Sequence, residues 1–314
     1  MGDRDWQAEA VRLHTLAATD AGRQPITEAL LATNGRGLHE LLAALDERGD
    51  HRDVEWIVYQ YLGEEQRAAV LSHIDEMAPD WPRCVHVVTD VDDTLYASIN
   101  DKVYPAGTVY PGALEFLTLC GRGAPVIVVT ARPEVLEDRL RRRLDGFGLS
   151  DVAVLSGRVG QVFSNGAMAA RKAVNLEHLM ALHAGDRFVL VGDDGQGDVT
   201  LAQQAIARWG DRVAGVFIHH VMSGPVTPVD GIAFFGSYVE AATAAQTLGL
   251  MTSSDVHQVA QGARAGLASV VFESPARERA ARQEFNRALA AGLDMAPLPL
   301  PDVPPEVILQ PSAP

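Results

Sequence analysis

Apolar residues follow two different periods along the chain, and the change between them marks its main boundary. Up to residue 82, apolar side chains recur at three- and four-residue steps, as in LHELLAALDERG and EEQRAAVLSHIDEM. This spacing predicts a helical N-terminal segment over residues 1–82. From Arg83 onward, short valine-rich runs alternate with helix-like stretches. Such nearly continuous apolar runs are typical of strands buried on both faces of a sheet.

Five of these runs are the candidate strands of a single sheet. Their alternation with helical stretches predicts an α/β fold, with a parallel Rossmann-like sheet of about five strands and helices on both faces. This domain is expected to span residues 83–250. The runs cover residues 84–90, 125–130, 152–157, 187–193 and 213–220.

Helical spacing returns after the last predicted strand, so the α/β domain is expected to carry helical segments at both ends. C-terminal helices are predicted over residues 251–292, and the second of them begins with Ser274 as cap and Pro275 in its first turn. The proline-rich tail over 293–314 is expected to be extended or disordered. A flexible tail is favoured there over a ligand for a proline-binding domain.

Composition narrows the class of protein. The chain has 314 residues, 47% of them hydrophobic, and a formal net charge of -15. An acidic surface disfavours nucleic acid as a partner and allows at most peripheral contact with anionic membranes. No apolar run approaches the roughly 18 residues of a membrane span, and the polar N-terminus is unlike a secretory signal. The two cysteines, Cys84 and Cys120, are expected to be small buried hydrophobes in a reducing, cytoplasmic setting.

Polar residues at the ends of the predicted strands carry the candidate chemistry, because ligands of open α/β sheets bind outside the carboxyl ends of the strands. Carboxylates, hydroxyls and a lysine should therefore converge at one edge of the sheet. In chain order these candidates are Asp90, Asp92, Thr94, Thr130, Arg132, Lys172, Asp193, Asp194 and Asp198.

Clustered carboxylates repel one another unless a cation lies among them, and oxygen ligands alone select a hard ion such as Mg²⁺. Asp90 and Asp193 are the predicted metal ligands. Asp90 can also act as a nucleophile that forms an aspartyl-phosphate, while Asp92 protonates the leaving oxygen and later deprotonates water. Thr130 and Lys172 are predicted to hold the phosphoryl oxygens.

The sequences DVDDT and GDDGQGD, with Thr130 and Lys172 between them, resemble the four motifs of the haloacid dehalogenase superfamily of phosphohydrolases, in the same order. The resemblance implies the roles given above for all of these residues. It further implies that the backbone carbonyl of Asp92 is a metal ligand. Either Asp194 or Asp198 would hold a metal-bound water, and Thr94 would lie near the residues that surround the metal ligands.

A longer stretch, over about residues 84–250, is similar to the catalytic domain of the actin-patch-associated phosphatidate phosphatase family. The resemblance implies that the substrate is phosphatidate, and the Gly-Asp-x-Gly-Gln-x-Asp string is its most specific part. Three positions depart from the family pattern. Leu95-Tyr96 stands where a lysine is usual, Arg132 where a small residue is usual, and His219 where a basic residue is usual.

Several assignments have alternatives. Arg132 could clamp a substrate phosphate or pair with Glu134 or Glu137. The arginines over 139–143 could meet anionic lipid, although a solvated helix end is the commoner reason for such a run. His219 and His220 end the fifth predicted strand, where a structural histidine is expected, although one of them could line the site.

The spacing of the motifs bears on access and substrate. Core helices use most of residues 95–129 and 131–171, so no large cap domain is expected and the site should be open to a bulky substrate. The motifs predict a Mg²⁺-dependent phosphomonoester hydrolase, and the family resemblance implies that it acts on phosphatidate. The alternatives are a soluble phosphometabolite phosphatase with the same chemistry and a catalytically silent binding module.

Overall fold

The computed structural model describes residues 5–46, 52–122, 124–149, 152–157, 165–195, 197–290 and 293–303. Its centre is a six-stranded sheet with the strand order β3-β2-β1-β4-β5-β6. Every neighbouring pair of strands runs parallel. The strands are β1 Val85–Thr89, β2 Val126–Pro133, β3 Ala153–Gly157, β4 Arg187–Asp193, β5 Val213–His219 and β6 Ala233–Phe235.

The predicted parallel α/β sheet is confirmed, and all five predicted strands are present. The sixth strand, β6, was not predicted. It has three residues and pairs with β5 alone at the edge of the sheet. A segment this short contains too few positions to show a periodic pattern, so its pairing is determined by the neighbouring strand rather than by its own sequence.

Helices precede, separate and follow the strands. Val54–Trp56 continues directly into a wider turn over Ile57–Tyr61. The helices are α1 Trp6–Leu16, α2 Arg23–Leu31, α3 Gly35–Asp46, α4 Val54–Trp56, α5 Glu64–Met77, α6 Ala113–Cys120, α7 Glu137–Gly146, α8 Asn165–Leu182, α9 Asp198–Trp209, α10 Tyr238–Thr247, α11 Ser253–Ser269 and α12 Pro275–Ala290.

Successive strand residues point to opposite faces of the sheet, and each face has its own apolar core. Val87 and Val189 belong to the core that includes residues of α6, α7, α10 and α11. Val88 and Leu190, one position further along each strand, belong to the core beneath α8 and α9. This double burial explains why the strand sequences are almost continuously apolar.

The N-terminal helices form a third core of their own, which reaches the rest of the protein at Leu182 near the end of α8. The predicted helical character of this segment is confirmed within residues 5–46 and 52–80. The predicted cap of α12 is present as well, since the Ser274 hydroxyl accepts a hydrogen bond from the Arg277 amide at 3.3 Å.

Residues 293–303 have no helix or strand, as predicted, but the expectation of a flexible tail is wrong for them. Asn286 of α12 exchanges two hydrogen bonds with the backbone of Leu298, and Arg279 donates to the Pro301 carbonyl. Each side chain satisfies a backbone group that a proline-rich chain cannot pair within itself. The rest of the predicted tail, residues 304–314, lies outside the described residues.

Two further expectations concern cysteines and membranes. Cys84 and Cys120 are both free thiols; Cys120 is buried, whereas Cys84 is only partly so. None of the helices in the described ranges combines the length and apolar character that a membrane crossing needs. Within those ranges no separate domain is inserted between the strands, and the segment between β1 and α6 is limited to residues 90–112.

Replacing Phe116 with alanine should test the core on the α6 face of the sheet. Phe116 is fully buried, with ring centroids 5.3 Å from Phe217 and 5.4 Å from Tyr238. Truncation removes this packing, so we expect Phe116→Ala to lower the free energy of unfolding in urea by about 3–5 kcal/mol. The exposed Leu248 is the control, and Leu248→Ala should change it by less than about 0.5 kcal/mol. A loss below about 1 kcal/mol for Phe116→Ala would contradict the packing described.

Candidate active site

The candidate site lies where the direction of chain winding reverses, between β1 and β4. From β1 the chain moves outward to β2 and β3, and then returns to build β4, β5 and β6 on the other side. The connections therefore diverge above these two central strands, which leaves a crevice at their carboxyl ends. Asp90 follows β1 and its amide donates to the Val191 carbonyl of β4 at 2.9 Å. Asp193, the last residue of β4, lies beside it.

Three buried carboxylates meet in this crevice. Carboxylate oxygens of Asp90, Asp193 and Asp198 lie within 4.8 Å of one another. Asp198 reaches the group because it is the first residue of α9, preceded by Gly197 in a left-handed conformation. A β-carbon at Gly192 would lie 2.5 Å from Asp198 Oδ2, so only glycine leaves room for that carboxylate next to β4.

Lys172 is the buried cation of the site. It lies in the middle of α8, and its Nζ is 2.6 Å from Asp198 Oδ1 and 3.1 Å from Asp90 Oδ2. Burial alone lowers the pKa of Lys172, but the attraction of Asp198 and Asp90 outweighs that effect and raises the pKa above its usual value. Lys172 is therefore a charged ammonium held between two carboxylates.

One ammonium does not neutralise three carboxylates. Burial raises the pKa of Asp90 to about 7, and the charges of Asp198 and Asp92 add to the rise while Lys172 opposes it. Burial, with the charges of Asp198 and Asp90, raises the pKa of Asp193 to about 9. With all three acids ionised, the cluster would carry three negative charges against one positive charge, which leaves two negative charges unbalanced.

The carboxylate cluster could hold a divalent metal ion. Asp90 Oδ2 and Asp193 Oδ2 are buried and accept no hydrogen bond from any described residue, although Lys172 lies within ion-pair distance of the first. Buried carboxylate oxygens without donors are costly unless a cation binds them. A divalent ion would match the two unbalanced charges and supply the missing contact to both oxygens.

Asp92 points toward a different cation. Arg132 donates two parallel hydrogen bonds to the Asp92 carboxylate, from Nε to Oδ2 at 2.8 Å and from Nη2 to Oδ1 at 2.5 Å. The predicted acidic partner of Arg132 was Glu134 or Glu137, whereas the partner that the structure shows is Asp92. Glu137 instead accepts from Arg141 at 2.9 Å. A fork of this kind fixes the orientation of the Asp92 carboxylate.

The two threonines have different surroundings. Thr130 was expected to end a strand, but β2 continues to Pro133, and its register against β3 shifts between Val129 and Pro133. At this irregularity, the buried Thr130 hydroxyl accepts from the Arg132 amide at 3.2 Å. The Thr94 hydroxyl is buried without a hydrogen-bond partner among the described residues, while its carbonyl accepts from the Tyr238 hydroxyl at 2.7 Å.

Asp93 and Asp194 organise loops rather than joining the carboxylate cluster. Asp93 has a φ of 56°, and its carboxylate accepts from the amides of residues 98, 99 and 100. Asp194 accepts from the amides of Val221 and Met222 and pairs with the ring of His220. Of the two residues predicted to assist a metal, Asp198 therefore lies in the cluster, whereas Asp194 holds the loop that follows β5.

His219 supports the loop that contains Asp93. Its ring is buried beside Tyr110 and Phe235, and its Nδ1 lies 2.8 Å from the Asp93 carbonyl. A carbonyl only accepts, so Nδ1 carries the proton. Burial lowers the pKa of His219, which keeps the ring neutral. Sequence reasoning gave no role to Asp93, although a third aspartate in the same turn was visible as DVDDT.

Comparison with known proteins bears on the same region. Residues 85–220 match the family model described as phosphatidate phosphatase APP1, catalytic domain. The matched stretch begins at β1 and ends at the loop after β5, so it contains all the residues of the carboxylate cluster together with Lys172, Arg132 and Asp92. A search of the curated proteins finds no match. Over residues 85–220 this chain is similar to the catalytic domain of a phosphatase family.

Proposed function

We propose that the protein is a Mg²⁺-dependent phosphomonoester hydrolase of the haloacid dehalogenase type, with Asp90 as nucleophile and phosphatidate as substrate. The observation that carries the proposal is the buried Asp90 carboxylate, placed between Lys172 and Asp193 at the reversal point of a parallel sheet. The match of residues 85–220 to a phosphatidate phosphatase catalytic domain supports the same reading. The oxygen-only donor set suits Mg²⁺, which prefers carboxylates and water.

In the proposed first step, an Asp90 carboxylate oxygen forms a bond to phosphorus while the bond between phosphorus and the substrate alcohol oxygen breaks. Asp92 delivers a proton to that leaving oxygen, so an alcohol departs and an aspartyl-phosphate remains. In the second step, Asp92 takes a proton from water, the water oxygen bonds to phosphorus, and the bond to Asp90 breaks. The products are inorganic phosphate and the original enzyme.

Lys172 supports both steps. Its ammonium opposes the rise in the pKa of Asp90 and lies where it can stabilise negative charge on the phosphoryl oxygens. Thr130 is proposed to contact the same oxygens through its hydroxyl. Mg²⁺, held by Asp90, Asp193 and the Asp92 carbonyl, would supply positive charge for the phosphoryl oxygens, and Asp198 would orient a water bound to it.

Arg132 is proposed to serve both the acid and the phosphate. In the structure it holds Asp92 by a two-point ion pair. A substrate phosphate entering the crevice offers the guanidinium a second anion of suitable geometry. Transfer of Arg132 from Asp92 to the phosphate would release the Asp92 carboxyl at the moment when it must exchange a proton with the leaving oxygen.

Exposed apolar side chains near the site favour a lipid substrate. Ile99 and Met222 lie in the loops after β1 and β5, with 61% and 45% of their surface exposed. Val135 and Leu136 follow β2 and are also exposed. All four follow the carboxyl end of a strand, at the edge of the sheet that carries the carboxylates. Apolar groups around a phosphate site suit peripheral contact with acyl chains, from the cytosolic side of a membrane.

One observation favours the alternative of a soluble phosphometabolite substrate. The formal net charge of -15 repels an anionic lipid surface. In that case the same residues would perform the same chemistry on a small phosphate monoester. The apolar residues around the site would then have no part in substrate binding, which separates the two possibilities experimentally.

Replacing Asp90 with asparagine should abolish turnover. Asparagine keeps the size of the side chain but cannot form the phosphoryl ester, so we expect phosphate release to fall at least about 10³-fold. The measurement is release of inorganic phosphate from phosphatidate in mixed micelles and from a panel of soluble phosphate monoesters. Asp230→Asn, on an exposed residue, is the matched control and should retain wild-type rates. Residual activity of Asp90→Asn above about a tenth of wild type would rule out the nucleophile.

Replacing Asp193 with asparagine should raise the Mg²⁺ concentration needed for activity. One carboxylate ligand is lost, so we expect half-maximal activity at a Mg²⁺ concentration at least about 10-fold higher. Wild-type activity should disappear with excess chelator and return with added Mg²⁺. An unchanged Mg²⁺ dependence in Asp193→Asn, with Asp230→Asn measured alongside, would remove Asp193 from the metal site.

The double variant Ile99→Ser/Met222→Ser should separate lipid from soluble substrates. Loss of two apolar side chains from a lipid contact should lower activity on micellar phosphatidate about 10-fold, while hydrolysis of para-nitrophenyl phosphate stays unchanged. Leu248→Ser is the control, since Leu248 is exposed but packs beside Gly215 near the start of β5, at the opposite edge. Equal losses on both substrates would contradict a lipid contact. Wild-type turnover of soluble esters alone would establish the soluble alternative.

A further inference from the structure

A second cluster of metal-ligating side chains lies at the other edge of the sheet. His86 is in β1, four positions before Asp90, and Asp186 immediately precedes β4. His183 follows the last residue of α8, and His39 is on α3 of the N-terminal helices. The cluster therefore occupies the junction between the N-terminal helices and the amino ends of the two central strands, about 13 Å along β1 from the carboxylates.

One carboxylate oxygen is the centre of this cluster. Asp186 Oδ2 lies 2.8 Å from His86 Nε2, 3.5 Å from His39 Nε2 and 3.7 Å from His183 Nδ1. The Asp186 side chain is completely buried, and none of the three histidine side chains is more than slightly exposed. Candidate ligand atoms of His86, His183 and Asp186 all lie within 4.8 Å of one another.

These separations suit a transition-metal ion. Zn²⁺ binds imidazole nitrogen and carboxylate oxygen at about 2.0–2.1 Å, so adjacent ligands of a tetrahedral site lie about 3.3 Å apart. The three distances from Asp186 Oδ2 fall on both sides of that value. Imidazole-rich donor sets select Zn²⁺ and similar ions over Mg²⁺, which prefers the all-oxygen set at the opposite edge.

The surrounding groups orient the ligands as they do in metal sites. The other oxygen of Asp186, Oδ1, accepts from the Cys84 amide at 3.0 Å, so Oδ2 is the oxygen that faces the histidines. The second ring nitrogen of His183, Nε2, is buried and faces Asp46 Oδ2 at 3.5 Å without a hydrogen bond. A histidine that ligates through one nitrogen and turns the other toward a carboxylate is the usual outer arrangement of such sites.

We propose that His86, His183 and Asp186 bind one Zn²⁺ ion or a similar divalent transition-metal ion, and that His39, whose Nε2 lies 3.5 Å from Asp186 Oδ2, moves closer to become the fourth ligand. The site is closed and buried, so the ion has a structural role. Because His39 and Asp46 belong to α3, the bound ion fastens the N-terminal helices to the sheet. This inference is independent of the phosphatase chemistry at the other edge.

The test measures zinc bound to the full chain after removal of metal with a chelator. The background is Asp90→Asn/Asp193→Asn, in which the oxygen site is weakened and contributes little. We expect one equivalent of Zn²⁺ by elemental analysis after dialysis, and loss of that equivalent in His86→Gln and in His183→Gln. Zn²⁺ should also raise the midpoint of thermal unfolding in the parent but not in these two variants.

His178→Gln is the matched control. His178 also joins α8 to the N-terminal helices, through its 2.6 Å contact to Glu55 and its stacking on Tyr59, but it lies outside the cluster. This variant should keep the zinc equivalent.

Should His86→Gln and His183→Gln fail to fold, the absorption spectrum of the Co²⁺-loaded parent replaces them. Intense visible bands of four-coordinate Co²⁺ would support the site, and a weak six-coordinate spectrum would refute it. The proposal is also overturned if the parent binds no zinc, which leaves an ion-paired cluster without metal, or if both histidine variants retain the full equivalent.

Discussion

The carboxylate cluster at the ends of β1 and β4 depends on one buried ammonium. Lys172 stands between Asp90 and Asp198, and all three side chains are almost fully buried, so either carboxylate alone would be costly to ionise. The contact also ties three distant parts of the chain together, because the residues belong to the end of β1, the middle of α8 and the start of α9. Packing of α8 and α9 against the same face of the sheet brings these groups within reach of each other.

One ammonium does not balance the three carboxylates of the cluster. The unbalanced negative charge favours binding of a further cation. Burial and mutual repulsion raise the pKa of Asp90 and of Asp193, so the ionised form of each acid is unfavourable without a further positive charge. Asp92, a short distance along the chain, is different because Arg132 already neutralises it. Asp90 and Asp193 therefore lack a full counter-charge, whereas Asp92 has one in Arg132.

Much of this arrangement could be predicted from the sequence, because it follows from strand ends. The valine-rich runs predicted the central strands. Because the carboxyl ends of parallel strands meet at one edge of the sheet, Asp90, Asp193 and Lys172 were expected to lie close together. The pairing of Arg132 with Asp92 was not predictable, since it depends on the irregular end of β2 rather than on spacing. The histidines around Asp186 were also missed. They come from α3, β1 and the turn before β4, and no motif links residues that only tertiary packing brings together.

The hydrogen bond from the Tyr238 hydroxyl to the Thr94 carbonyl also sets a lower limit on the length of chain that must be kept in a fragment. Tyr238 begins α10, beyond the stretch that matches the family model, yet it braces the turn that carries Asp92 and Asp93. The Phe235 carbonyl likewise accepts a hydrogen bond from the His220 amide at 2.8 Å, which joins the loop after β5 to the end of β6. A fragment trimmed at residue 220 would keep every acid of the carboxylate cluster and lose the contacts of Tyr238 and Phe235 that support the neighbouring loops. The smallest unit that keeps these contacts therefore extends through β6 and α10, past the boundary that sequence similarity suggests.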